Sequence, residues 1–307
     1  MSTAEGRTGR RAIHLGILLM IGSSLVGVGL DSIAKTLGQT LPVAEVVWAR
    51  YAFSFLSLLP LVPRLGLAPL LTSRRPWLQL GRSTALVTSG VLYFWALRYI
   101  PLADATAIAF VSPLILTALS ALALGERVGL GLWISIAVGL AGTLLITQPG
   151  STSHGWEALL PLGSAALYAL YQLLTRKIAP YDGVAVSLLY STLVGAFAMS
   201  CFVPFVWVGP SAGEWLLIVA LGSLGTLSQV CVIRAFALAP ASVLAPFNYA
   251  AILWAVPFGW LLFGDLPDAW SIAGAGIIVL SGLYVLGIAH DDTGGKPAPG
   301  PVRSPQP

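Results

Sequence analysis

Ten times along the chain an apolar run of about twenty residues recurs, the length an α-helix needs to cross ~30 Å of hydrocarbon. The runs lie near 12–32, 43–62, 79–99, 102–124, 129–147, 156–177, 184–207, 213–235, 240–263 and 269–289, and they are numbered here as spans one to ten. Short connections rich in helix breakers separate them, among them QTLP at 39–42, QPGSTSHG at 148–155, VGP at 208–210 and FGDLPD at 263–268. Lipid offers no hydrogen bonds, so each crossing segment must satisfy its backbone internally, and an α-helix does so. Charged residues make up 9% of the chain, against about 25% in an average soluble domain, and mean hydropathy is +0.86. The expected fold is therefore an all-α integral membrane protein with ten transmembrane helices.

The basic residues set the expected orientation. With the N-terminus inside, thirteen of the sixteen Lys and Arg fall on the inner side, from Arg7, Arg10 and Arg11 through Arg74, Arg75, Arg82, Arg176, Lys177 and Arg234 to Arg303. Lys35 and Arg98 lie near the outer side, with Arg50 deeper. Cytoplasmic connections carry such an excess, so both termini are expected in the cytoplasm, at residues 1–11 and in a disordered Pro- and Gly-rich tail at 290–307. The first run follows three arginines as a secretory leader would, but it is too long for one and reads as a retained helix. The net charge of +4 is thus a topology signal, and no block of alternating basic and aromatic residues suggests nucleic acid.

Several chemistries are poorly supplied. Cys201 and Cys231 lie inside apolar runs and read as small buried hydrophobes rather than a disulfide or metal pair. His14, His154 and His290 fall at segment ends or in loops, and no HExxH motif occurs. An intramembrane enzyme needs a nucleophile–base pair or a metal at depth. No phosphate-binding loop is present for ATP drive. No cofactor is expected.

The chain is duplicated. GSSLVGVGLDSIAK begins at Gly22 and GSAALYALYQLLTR at Gly163, an offset of 141; ALRYIPLADA at Ala96 meets AFALAPASVL at Ala235, an offset of 139. At that same offset Gly125-Glu126 meets Gly264-Asp265. The halves, 12–147 and 156–289, are joined by 148–155 and hold five spans each. Five is odd, so the second half enters the membrane from the opposite side. Halves related in this way can exchange conformations and open a central site to either face.

In span six, Ser164, Tyr168, Tyr171, Gln172 and Thr175 share one helical face, which either lines a cavity or packs in the bundle. Thr84, Thr88, Trp95 and Arg98 stripe span three, and Pro113 and Pro246 interrupt spans four and nine. Gly139, Gly142, Gly274, Gly276 and Gly282 suit close packing of spans five and ten. Glu126 and Asp265 are expected to serve loop structure.

DSIAK, PVAEVVWARYAFSF, ALRYIPLADATAIAFVSPLILTALSALALGER and APFNYAAILWAVPFGWLLFGDLPDAWSIAGAGIIVLSGLY together resemble the EamA branch of the drug/metabolite transporter superfamily over residues 12–289, as two EamA units. The resemblance implies ten helices in two inverted five-helix halves around a cavity bounded by spans three, four, eight and nine. It implies a secondary transporter of a small organic metabolite (an amino acid, vitamin or nucleobase-like solute) in the cytoplasmic membrane. A non-transporting scaffold is the main alternative, and an intramembrane enzyme the weaker one. Carried onto this chain, the cavity residues are Tyr93, Trp95, Ser112, Tyr168, Tyr171, Gln172, Gln229, Asn248 and Tyr249. This neutral, aromatic set suits a flat or zwitterionic solute. Small multidrug pumps of the superfamily carry a carboxylate in mid-span one, where this chain reads GSSLVGVG, which leaves proton coupling without its usual group. Beyond solute and bilayer, the expected state is a monomer or weak homodimer.

Arg50 remains, about 10 Å deep in span two at ~1.5 Å per residue. A charge at such depth costs several kcal/mol unless compensated. The implied architecture puts span two beside the cavity. An outer ion pair or gate with Asp31 or Asp104, which occupy the same outer third, is therefore the expected role.

Overall fold

The computed structural model describes residues 2–59, 72–124, 130–147, 156–178, 180–238, 247 and 249–293. It is helical throughout, without strands among the described residues. The helices are α1 (Ser2–Leu37), α2 (Val43–Leu58), α3 (Pro76–Ala96), α4 (Leu102–Ala109), α5 (Ser112–Leu124), α6 (Leu130–Thr147), α7 (Leu159–Ile178), α8 (Val184–Val206), α9 (Ala212–Leu238), α10 (Ala250–Phe263) and α11 (Ala269–Thr293). A 3₁₀ turn at Trp156–Ala158 leads into α7. Four described helical stretches are long and apolar enough to cross a membrane: Ala12–Leu37, Trp156–Thr175, Ala185–Val206 and Ala212–Val232.

Helix ends follow local chemistry. Pro42 and Pro101 stand in extended conformation just before α2 and α4, and Pro76 opens α3, where its missing N–H has no partner to lose. Span four is broken at Phe110–Val111 rather than at Pro113, which sits in the first turn of α5. A proline there forfeits no intrahelical bond, so the break falls upstream of it. Gly264 ends α10 with φ +73°, and the amides of Gly264 and Asp265 return to the carbonyls of Trp260 and Gly259. This left-handed cap is open to glycine at little cost and aims Asp265 back at the bundle.

Residues 2–11 continue α1 as helix, and α11 runs through His290 to Thr293 before the described chain ends. The Glu126 turn and the 148–155 linker lie outside the described residues.

The packing repeats with the sequence. α1 packs on α9 and α10, and α7 packs on α3, α4 and α5; α2 pairs with α8, and α6 with α11. Exchanging the halves converts the first set into the second and returns the last two pairs to themselves. The correspondence reaches single side chains. Ser89 of α3 and Ser164 of α7 exchange hydrogen bonds, each hydroxyl donating to the other's carbonyl at 2.9 Å. At offsets of 139 and 141 stand Ser228 and Ser23, and the Ser228 hydroxyl donates to the Ser23 carbonyl at 3.1 Å.

Large apolar side chains face outward, Phe205 and Phe197 being 86% and 75% exposed, while Gln79, Arg82, Ser83 and Glu45 are buried. That inversion of the soluble pattern marks a lipid-facing surface. Cys201 is exposed and Cys231 half-buried, so neither is the core hydrophobe that composition suggested. Close approach of α6 and α11 is real at Gly142 and Gly274, where an added Cβ would lie 2.9 Å and 2.6 Å from the other glycine's carbonyl oxygen. Gly276 has nothing within 4 Å and takes no part.

Candidate functional site

α7 aims its polar stripe at α3. At one end Ser164 meets Ser89; in the middle Tyr168 and Tyr171 stack at 5.4 Å; at the other end the Thr175 hydroxyl accepts from Arg82 at 2.7 Å. The stripe thus packs at its ends and presents aromatic surface between. Tyr168 is 42% exposed in spite of lying on this inward face, so open space adjoins it.

Arg50 of α2 joins the tyrosines. Its guanidinium lies 5.3 Å from the Phe94 ring centre and 5.7 Å from that of Tyr51, and it approaches α3 at Gly90. It interacts electrostatically with Asp31, Tyr93 and Tyr168, and Asp31 is within side-chain reach of the Tyr93 hydroxyl. The Tyr93 hydroxyl also bonds Thr106 of α4 at 3.2 Å. Cation–π contact with two rings, worth roughly 1–2 kcal/mol each once desolvated, and a nearby carboxylate together answer the cost of a half-buried arginine at this depth. Span two was expected beside the cavity, yet Arg50 shares one constellation with the residues expected to line it.

Tyr51 was not anticipated. It is buried, its ring lies against Gly195 of α8, and its hydroxyl has no hydrogen-bond partner among the described residues. A buried phenol normally finds one. The only sequence signal was its adjacency to Arg50. The constellation therefore brings together a cation, a carboxylate, stacked rings and a hydroxyl without a partner among the described residues.

The other expected residues are dispersed. Trp95 stands at the end of α3, edge-on to Trp156 at 6.3 Å. Gln172 is half-buried, Ser112 is buried at the start of α5, and Gln229 is exposed on α9. Tyr249 packs on Phe110 at 5.0 Å and directs its hydroxyl at Gly282 of α11, into the helix-packing layer. Asn248 lies outside the described residues. Asp104 is buried in the first turn of α4, where a carboxylate complements the helix amides.

Arg82 was read as a topology signal. It is instead buried and hydrogen-bonded to Thr175, Gln79, Ser191, the Ser187 carbonyl and the Tyr171 hydroxyl at 2.7–3.2 Å. Its guanidinium also lies 4.7 Å from the Tyr171 ring centre. Gln79 continues the network to Asp182, which also accepts from Ser73 and from the Arg74 amide at 3.0 Å. Burial pushes the Asp182 carboxyl up, but the Ser73, Gln79 and Arg74 bonds outweigh it and hold it below its usual 3.8. This ties α3, α7 and α8 together at the end opposite Asp31.

At the Asp31 end Lys35 donates to Asp265 at 2.6 Å and to the Ile100 carbonyl at 3.3 Å. The pair fastens α1 to the turn after α10. A cavity of about 450 Å³ adjoins it, lined by Gln39, Arg98, Tyr99, Pro101 and Phe263.

The family model described as the EamA-like transporter family matches residues 14–148 and again 155–287. A riboflavin transporter of Vibrio cholerae is 31% identical over 88% of this chain and 92% of its own length. The pseudopaline exporter CntI of Pseudomonas aeruginosa is 32% identical over 87% and 94%. An S-adenosylmethionine uptake transporter of Rickettsia conorii is 28% identical over 83% and 87%. One solved crystal structure superposes with a TM-score of 0.62 at 20% identity, covering 89% of this chain and 97% of that one, which shows a shared fold.

Proposed function

The chain belongs to the EamA-like transporter family, and from that premise we propose that it carries a small planar or zwitterionic metabolite across the cytoplasmic membrane by alternating access. It is a multi-pass membrane transporter and not an enzyme. The observation that carries the finer reading is the Arg50 constellation, in which one cation and one carboxylate stand among stacked tyrosines. Arg50 and Asp31 complement the two charges of a zwitterion, and the tyrosine rings complement a flat body.

Ten spans in two inverted halves, 12–147 and 156–289, supply the mechanical basis. The exchange of packing partners between the halves supports this, because each half then meets the site with equivalent helices. The Arg82–Asp182 network lies on the cytoplasmic side in the orientation that the basic residues favour, and it acts as the inner gate. Through Tyr171 it touches the site directly, so solute contact with that ring is felt at the gate.

The relatives name riboflavin, S-adenosylmethionine and pseudopaline, and these head the solute panel with amino acids and nucleobases. Purified protein in liposomes is expected to move at least one of them saturably, with flux falling at least tenfold in Arg50→Gln. If no panel solute moves or binds while the protein stays folded, the proposal fails.

A further inference from the structure

Glu45 is fully buried in the first turn of α2. Its Oε2 accepts the Val208 amide at 3.1 Å, and its Oε1 has no hydrogen-bond partner among the described residues. A carboxylate oxygen buried without a donor is costly, and native proteins seldom keep one without use.

The opposite end of the molecule supplies the comparison. Asp182 stands just before α8, as Glu45 stands at the start of α2, and these two helices pair across the repeat. Each carboxylate captures a backbone amide in the connection that leaves the other's helix: Val208 follows α8, and Arg74 lies between α2 and α3. They are matching latches at opposite faces. The inner one is saturated, with both oxygens of Asp182 accepting. The outer one is half-filled.

We propose that Glu45 is a proton-binding site, and that its occupancy decides whether the 207–211 connection stays docked on α2. This rests on the transporter reading, in which a proton taken up at the outer face reports to the helix pair at the centre of the fold. The carboxylate holds the Val208 amide by a charge-assisted bond. A proton on Oε1 removes the charge and weakens that bond. The connection lies at the surface, Val208 being 48% exposed, so its release uncovers the latch.

The surroundings fit a proton better than a metal ion. The contact made by Oε2 is with a donor, and the connection it holds packs through aromatic rings: Trp48, one turn on from Glu45, meets Trp207 edge-on at 5.9 Å, and Trp207 lies 6.4 Å from Trp215. A cation such as sodium needs a ring of oxygens. Among the described residues the charged neighbours are few. Glu214 of α9 acts on Glu45 electrostatically, and is itself held by Thr40 at 2.5 Å and by the amide and hydroxyl of Ser211 at 2.7 Å. α8 carries no Asp, Glu, Lys or Arg; Arg50 of α2 is directed at Tyr51 and Phe94; and Arg98, just past α3, lies by the outer cavity.

The test needs no solute, so its failure leaves the transport reading standing. Difference infrared spectroscopy on the full chain in nanodiscs, stepped from pH 8 to pH 5, is expected to show a protonated-carboxyl C=O band that Glu45→Gln lacks. Over the same range, hydrogen exchange at 207–211, corrected for intrinsic rate, is expected to accelerate about tenfold in the wild type, the loss of one charge-assisted hydrogen bond. In Glu45→Gln it should stay constant. Should that variant not fold, Val208→Pro removes the amide and keeps the carboxyl, so the infrared band must remain. A band surviving Glu45→Gln, or exchange at 207–211 indifferent to pH in the wild type, overturns the proposal.

Discussion

At the scale of single residues, the polar and aromatic side chains between α3 and α7 divide into those that hold the fold and those that the proposed function leaves free for a solute. Arg82 belongs to the first group, because every arm of its guanidinium is engaged. Arg82→Ala leaves Gln79, Ser191 and Thr175 without their donor and is expected to cost about 3 kcal/mol, read as a fall in thermal stability in detergent. Arg82→Lys should not restore it, since an ammonium has three donors and no planar fork. Tyr168 belongs to the second group. It is partly exposed and, among the described residues, stacks on Tyr171 alone, so Tyr168→Ala is expected to cost under about 1 kcal/mol of stability, while solute flux falls at least tenfold. A loss of fold matching the loss of flux would assign Tyr168 to packing instead. Asp182 has a folded-state value below its ordinary 3.8, so its contribution to stability is present above that value and is lost as pH falls through the lower, folded one. Asp182→Asn should therefore lower the melting temperature at neutral pH and matter progressively less below pH 3.8, measured as Tm against pH for both proteins.

At the scale of helices, much was legible in the sequence because lipid imposes one length and one backbone solution. Each described helix overlaps an apolar run, and the positions of Pro42, Pro76 and Gly264 mark ends that depend on backbone chemistry alone. Side-chain destinations were less legible. Tyr168, Tyr171 and Thr175 share a face by periodicity, but whether that face meets α3 or open space depends on a partner far away in the chain. Arg82 looked like an inner-surface cation because the charge bias counts residues without regard to depth. Nor does the sequence show that Gly282, far along the chain, leaves room for the Tyr249 hydroxyl. Glycine contrast tests the helix layer itself. Gly274→Leu is expected to push α11 from α6 and cost about 1–3 kcal/mol through overpacking. Gly276→Leu, two residues on with open space around it, should be nearly neutral. Equal melting temperatures for the two variants would refute the close approach of these helices.

At the scale of the whole molecule, the duplication explains why the two ends are built alike, and their polar side chains are what set them apart. Equivalent serine pairs fasten α3 to α7 and α9 to α1, so the scaffold is even-handed. The polar network is not. Asp182, Gln79 and Arg82 join one end by hydrogen bonds, whereas Glu45 at the other keeps one carboxylate oxygen without a partner among the described residues. Which end faces the cytoplasm decides what such asymmetry does. With thirteen of sixteen basic residues on one side, the Arg82 end is expected inside together with both termini. Single-cysteine variants on a Cys201→Ser/Cys231→Ser background test this. A cysteine at Ser211, in the connection beside the Glu45 latch, should react with an impermeant maleimide in intact cells. A cysteine at Ser73, beside Asp182, should react only after the membrane is opened. The reverse pattern would turn the molecule over and place the half-filled latch in the cytoplasm, where it would sense internal rather than external pH.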